Sequence, residues 1–540
     1  MALTSPADAP AAVARDAATD DAPRPWRLNG WAGAAAAIVC IAPILAIVAA
    51  TVTAEAPRWD ASMAQLVRDS ALGLAFLLIV GGGAATVLGV AAAWLVTVCQ
   101  FPGRRWFEWA LVMPLAMPAY VLAYAYGALT GPLGPAPIGL SGGVGAAFVY
   151  ALAFYPYVYV AARAGFASQS VCAIDAARAL GATPGVAFFQ VALPMARPAI
   201  AAGAALAMME IAADYGAAAY FGAETMTTGI FHAWFARGDR PLALQLATAL
   251  LVAALALLAL EQRARSAGGV AGGSSRWRPL PRYSLPPFAA FAATGFCAAL
   301  LALGAIIPFG FLAHLAALRP SAELAALGEP LARSLTLAAI GAVVTLALAF
   351  AIARAARSVA RWGRFAAIAA GAGYAAPGAV AALGALALFA TARDAGLVGG
   401  LTGAIAIAAL LWTYAARFAA AGIGPVEAGL ARITPSIYGA ARTLGAAAGE
   451  RIARVEAPIA APSVAAAALI LFVEILRELP ATLILRPFDF DTLAIRAYVY
   501  ASDDRLSQAA VPALLIALAS LGPIVVLSRR IASGRPGASS

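Results

Sequence analysis

Four carboxylates carry the first chemical signal in this chain. Glu210 and Asp214 are four residues apart inside an apolar stretch, and Glu474 and Glu478 repeat that spacing in a second one. Residues at i and i+4 share one face of a helix. A carboxylate inside a membrane is costly, so it usually faces a bundle interior or a wet cavity. Four of them around one axis would form an acidic lining suited to a hard cation that prefers oxygen ligands. Tyr215 adds a phenol beside Asp214. A second reading stands beside this one: Arg477 is three residues from Glu474, and such acids also serve to pair with arginines and hold helices together. No metal site is assigned from these residues.

Other chemistry is excluded by what is missing. All 36 basic residues are Arg, so there is no Lys for a phosphate-binding loop or a Schiff base. Base-composition bias accounts for the missing Lys. Cys40, Cys99, Cys172 and Cys297 are scattered, which rules out metal fingers and redox pairs. Only His232 and His314 are present, near the outer edges of predicted spans, and they read as incidental. No catalytic residue is assigned. The chain is not expected to be an enzyme or to hold a cofactor.

The elements that must position these acids are membrane helices. Of 540 residues, 63% are hydrophobic and 11% charged, against about 25% charged in a soluble domain. Mean hydropathy is +0.86. Apolar runs of about 20 residues suffice to cross a bilayer. Twelve are expected, at 31–53, 70–99, 108–130, 143–163, 198–220, 242–260, 288–312, 331–353, 365–390, 398–420, 462–485 and 509–528. The fold class is therefore all-α and polytopic. Residues 1–30 read as a disordered cytoplasmic tail without the marks of a signal peptide. Tyr155, Tyr157 and Tyr159, around Pro156, are expected to form an aromatic interface belt and a kink.

Arginine placement sets the orientation. With the N-terminus inside, 25 of the 36 arginines fall on one side, and Arg417 is counted among them in a loop. Positive charge marks the cytoplasmic side, so both termini are expected there. The +10 net charge follows from the same bias and needs no nucleic-acid partner. Six spans per half give two parallel halves, 31–262 (core 66–260) and 288–530 (core 330–528). A cytoplasmic linker at 263–287 joins them, and 531–540 form a C-terminal tail.

The halves share a loop. Asp175-Ala176-Ala177-Arg178, Gly181 and Val191-Ala192-Leu193-Pro194 align without a gap on Gly439-Ala440-Ala441-Arg442, Gly445 and Val455-Glu456-Ala457-Pro458, 264 residues later. Ser170 and Thr434 are candidate N-caps, and Pro435 follows at the first helical position. Gly181 and Gly445 would end the helix, since glycine takes a positive φ without steric cost. Thr183-Pro184 starts a second helix in the first loop, a signal that Ala447-Ala448 lacks. Each loop thus reads as helix, glycine turn, helix and proline, a knob fit to dock on another protein.

This spacing resembles the EAA loop of ABC-importer membrane subunits. Asp175 stands for the usual Glu and Val191 for the usual Ile, whereas Gly439 replaces the acid and Ala457 the Leu in the second copy. Residues 213–247 and 477–510 further resemble the fused two-half permeases of ferric-iron importers. Thiamine, phosphonate, polyamine and sulfate permeases are close relatives of those. The resemblance covers most of the chain from about residue 66. It implies the type-1 ABC permease fold, with one copy of this chain per transporter. Two ATPase copies, which carry ATP and Mg, would sit on loops Asp175–Pro194 and Gly439–Pro458. A binding protein would deliver cargo from outside, in the cell inner membrane. The missing acid at Gly439 implies unequal contacts with the two ATPases.

Two other classes compete. A gradient-driven carrier also has two parallel six-span halves. Its acidic loop after span two is missing from Phe101-Pro102-Gly103-Arg104-Arg105 and from Arg361-Trp362-Gly363-Arg364. A membrane enzyme lacks any convergent nucleophile, base or metal cluster here. Glu224, Asp239, Asp489, Asp491, Asp503 and Asp504 in outer loops fit either a docking face or ordinary solvated turns.

Overall fold

The computed structural model describes residues 25–54, 60–131, 134–167, 181, 184–268, 283–318, 325–358, 360–397, 399 and 402–533. The chain is an all-α, multi-pass membrane protein. Among the described residues, ten helices are long and apolar enough to cross a bilayer, or up to twelve spans if each of two bent pairs counts as one.

In the first half these are α1 (Trp31–Thr53), α2 (Ala61–Val98), the pair α3 (Arg104–Ala116) and α4 (Ala119–Thr130), α5 (Gly142–Ala167) and α6 (Phe188–Ala213). Two short helices follow, α7 (Gly216–Phe221) and α8 (Met226–Phe231), before α9 (Arg240–Ala264). The second half has α10 (Pro287–Ala317), α11 (Gly328–Arg357), the pair α12 (Phe365–Ala375) and α13 (Gly378–Asp394), and α14 (Gly403–Leu430). Then come α15 (Pro435–Thr443), α16 (Gly449–Leu476), α17 (Pro480–Leu485), α18 (Leu493–Ser502) and α19 (Leu506–Ser528).

The expected spans 108–130 and 365–390 are not straight. They bend by 89° and 110° at Pro118 and Pro377. Proline lacks the N–H that the next helical bond needs and pushes its predecessor out of the α region. Met117 is accordingly extended, at ψ 114°. The residues that follow each bend, 119–126 and 378–385, are buried.

The halves interlock. Helix α1 belongs to the first half by sequence yet packs on α11, α12 and α13. Helix α10 crosses the other way onto α3 and α4, alongside α19. Glycine makes the first crossing close: a Cβ on Gly384 would lie 2.0 Å from the Pro43 carbonyl oxygen. The Trp412 indole N–H donates to the Val39 carbonyl at 3.0 Å, and the Tyr126 hydroxyl donates to the Leu303 carbonyl at 2.6 Å. A two-residue parallel pairing, Cys99–Gln100 with Tyr283–Ser284, joins the end of α2 to the last residues of the linker, just before α10.

Three expectations need correction. Tyr155 and Tyr159 are fully buried rather than an interface belt; they donate to the Leu111 and Glu108 carbonyls at 2.9 and 2.8 Å. A phenol suits an interior site as well as a lipid interface once its hydroxyl finds a partner. Arg417 lies inside α14, buried, and not in a loop. Neither acid pair shares one helix: α6 stops at Ala213, with Asp214 extended (φ −72°, ψ 137°), and α16 stops at Leu476, so Asp214 and Glu478 do not continue the helices of Glu210 and Glu474.

Candidate functional site

Both halves break at the same place, and a carboxylate organises each break. Past the end of α6, Asp214 accepts the Ala217 N–H at 2.9 Å and the Tyr150 hydroxyl at 2.8 Å. Past the end of α16, Glu478 accepts the Ala481 N–H at 2.9 Å. Each acid thus satisfies one free donor at the start of the short helix that follows, α7 or α17. Tyr414, 264 residues after Tyr150, holds the second break by meeting the Thr482 hydroxyl at 2.5 Å. The scaffold is repeated.

The charges are not. Arg417 replaces Ala153 in the 264-residue register and pairs with Glu478. Arg477 replaces Ala213 and pairs with Glu474 at 2.5 Å. Glu210, the counterpart of Glu474, accepts only from the Tyr374 hydroxyl, at 3.0 Å, among the hydrogen bonds described. The Arg417–Glu478 pair presses on backbone where the second bent pair turns: a Cβ on Gly378 would lie 2.3 Å from Glu478 Oε1. Both guanidiniums thus belong to the second half, against two carboxylates from each half.

Glu210, Asp214, Glu474 and Glu478 all line one chamber of about 70 Å³, with Arg417 and Arg477 in the same wall. That space holds a few water molecules. Tyr215 is not in this wall. Its hydroxyl meets that of Tyr498 at 2.8 Å, and its ring stacks on Phe231 with centroids 3.8 Å apart. It lines a cavity of about 700 Å³ with Glu224, His232 and Arg486, on the side of α7 and α8. On the side of the repeated loops lies an apolar cavity of about 740 Å³, which Pro198 of α6 and Ser528 of α19 help to line. The charged chamber shares Leu115, Glu474 and Arg477 with this apolar cavity. Among the described residues, no three His, Cys, Asp or Glu side chains converge as a metal cage.

Tyr150 and Tyr374 carried no expectation in the sequence, whereas Arg417, expected in a loop, and Tyr157, expected in an interface belt, belong to the site. A lone arginine inside the apolar run 398–420 was the available signal for Arg417. The tyrosines carried no pattern that separates them from ordinary membrane aromatics.

The repeated loops are partly described. Asp175, Ala176, Ala177 and Arg178 lie outside the described residues, as do Ser170, Thr183 and Cys172. Gly181 has φ +85° and Gly445 φ +78°, the left-handed conformation the turn requires. Leu193 and Pro194 are half-buried at the head of α6. In the second loop Thr434 and Pro435 start α15, although the Thr434 hydroxyl meets Ser436 at 2.8 Å rather than a backbone N–H. Ala441 is buried, whereas Gly439, Ala440, Arg442, Gly445 and Pro458 are exposed. Helical structure resumes at Ala448 despite the missing cap signal.

Behind α15 sits Glu456, buried, with Arg354 of α11 at 3.4 Å. Arg357 donates to the Ile433 carbonyl at 3.1 Å. Burial, with the Glu456 carboxylate beside it, raises the Tyr438 phenol above its ordinary range. The register places Ala192 opposite Glu456, so the first loop has no such acid.

Residues 85–261 match the family of binding-protein-dependent transport system inner membrane components. This stretch holds α5, α6 and both short helices, with Glu210, Asp214 and the first repeated loop. Over 174 residues the chain is 29% identical to the molybdenum transport system permease protein ModB of Escherichia coli (strain K12), a span of 31% of this chain and 72% of that protein. Over 144 residues it is 26% identical to the Fe(3+)-transport system permease protein FbpB 2 of Haemophilus influenzae, 27% of each chain. The first half is thus similar to a transport-permease domain, and the helix architecture agrees with the type-1 ABC permease fold. The cargoes in the two relatives' names differ.

Proposed function

We propose that this chain is the membrane subunit of an ATP-driven importer, with both permease halves in one polypeptide, and that its cargo is ferric iron. The observation that carries the reading is the charged chamber at the paired helix breaks. Four carboxylates face two guanidiniums there, which leaves an excess of acid in a space too small for a bulky organic cargo. The resemblance at 213–247 and 477–510 supports the same cargo.

The similarity of residues 85–261 to transport-system membrane components supports the partners in this reading. Two ATPase copies, holding ATP and Mg, would seat on Asp175–Pro194 and Gly439–Pro458 at the cytoplasmic face of the inner membrane. A binding protein would deliver cargo from the opposite side, and both termini would be cytoplasmic. One copy of this chain would serve each transporter. ATP binding would draw the ATPases together, and the loops would carry that motion into α6 and α16. The chain binds no nucleotide itself in this reading and performs no covalent chemistry.

A small oxyanion is the second cargo reading. Arg417 Nε is buried and has no hydrogen-bond partner among the described residues, and Arg417 lines the chamber. Uptake of radiolabelled ferric iron, molybdate and thiamine by the reconstituted complex separates the cargoes. Iron uptake supports the first reading; molybdate uptake alone supports the second; thiamine uptake removes both.

A further inference from the structure

Arg477 stands where two cavities meet. It lines the charged chamber of about 70 Å³ and also the apolar cavity of about 740 Å³, and Glu474 and Leu115 share both walls with it. Its partners come from both halves. Within its own half it pairs with Glu474 at 2.5 Å. Toward the other half, Arg477 donates to the Leu115 carbonyl at 3.1 Å and to the Tyr157 hydroxyl at 3.0 Å. The Tyr120 hydroxyl in turn reaches the Arg477 carbonyl at 3.4 Å. The register places Ala213 opposite it, so the first half supplies no matching cation.

We propose that Arg477 is a gate residue, the seal between the charged chamber and the cavity on the side of the repeated loops. The inference rests on the transport reading only in placing the chamber on the cargo path. Two consequences follow from the geometry. Separation of the halves must break the bonds to Leu115 and Tyr157, so the movement that opens the path also releases the guanidinium. The guanidinium also repels a cation that enters the chamber without that movement. With Arg477 neutralised, the wall keeps four carboxylates and only Arg417, and the field inside favours cations.

The test is passive leak through the full-length chain in proteoliposomes, without ATP, with thallium(I) and radiolabelled sulfate as probes. Arg477→Met should raise thallium(I) efflux at least about tenfold over wild type and sulfate efflux far less. Arg477→Lys keeps the charge and should stay near wild type. If Arg477→Met is not recovered folded, the double variant Glu474→Gln, Arg477→Met leaves neither member of the pair charged, and it should leak as well. Arg477→Met vesicles as tight as wild type, or vesicles that pass both probes equally, would overturn the proposal. So would a tight double variant. Failure of ATP-driven uptake by the wild-type complex would instead count against the importer reading, which this leak assay does not use.

Discussion

Asp214 and Glu478 occupy equivalent positions 264 residues apart, and each carboxylate accepts the backbone N–H three residues ahead, at 2.9 Å in both halves. Their side-chain partners differ. Asp214 takes a phenol, Tyr150, and Glu478 takes a guanidinium, Arg417. One role in the backbone therefore coexists with two electrostatic settings.

Unequal stability costs are expected from that difference. Asp214→Ala removes a cap and the acceptor of the neutral Tyr150 hydroxyl, and should cost about 1–2 kcal/mol. Glu478→Ala leaves Arg417 buried without its carboxylate and should cost about 3–5 kcal/mol. Thermal unfolding in one detergent ranks the two variants. Equal losses would mean that the Arg417 pair adds nothing beyond the cap.

Gly181 and Gly445 should matter through backbone conformation alone. A Cβ added at either position meets nothing within 4 Å among the described residues, and strain from positive φ is expected to cost about 1–2 kcal/mol. Gly181→Leu should lower transport while ATP hydrolysis by the assembled complex persists. Gly181→Asn should be milder, because Asn tolerates the left-handed region. Wild-type transport in a well-expressed Gly181→Leu variant would refute the loop's coupling role.

Glu456 should brace the second loop. Glu456→Ala removes the partner of Arg354 behind α15, and Ala192 offers no equivalent in the first loop. Transport per ATP hydrolysed is expected to fall several-fold, at a stability cost of about 3 kcal/mol or more for the orphaned arginine. Leu193→Ala, at the head of the first loop's α6, should leave the Glu456 defect additive. Both ratios come from paired uptake and phosphate-release assays.

Asp60 predicts a local acid response outside the spans. The Met63 N–H and the Ser62 hydroxyl hold its carboxyl below the usual aspartate range. Its folded pKa is lowered, so the capping contribution is fully present above the unfolded value of about 3.9 and is lost as pH falls through the folded one. Exchange protection of the Met63 amide should therefore drop with acidification below about pH 4 in wild type. In Asp60→Asn that protection should not depend on pH.

Much of this arrangement was legible in the sequence, for physical reasons. Acids in apolar runs are rare enough to stand out, and Glu210, Asp214, Glu474 and Glu478 do line one chamber. Gly181 and Gly445 were legible because a turn with positive φ selects glycine. The break at Asp214 was hidden, because helical spacing from Glu210 looked continuous and the Ala217 N–H that captures the carboxylate is a tertiary detail. Arg417 was misplaced because a charge near the end of an apolar run is commonly a loop residue. Tyr155 and Tyr159 were misplaced because hydropathy cannot tell a lipid interface from a buried hydroxyl with a carbonyl partner. The crossing of α1 onto the second half left no trace, since an apolar face reads alike whichever bundle it covers.

The most direct test of the account is uptake of radiolabelled ferric iron by proteoliposomes that hold this chain, its partner ATPase and its binding protein. The account predicts uptake that needs both ATP and the binding protein and that stops when the ATPase cannot hydrolyse ATP. Uptake that runs on an ion gradient without ATP would contradict it.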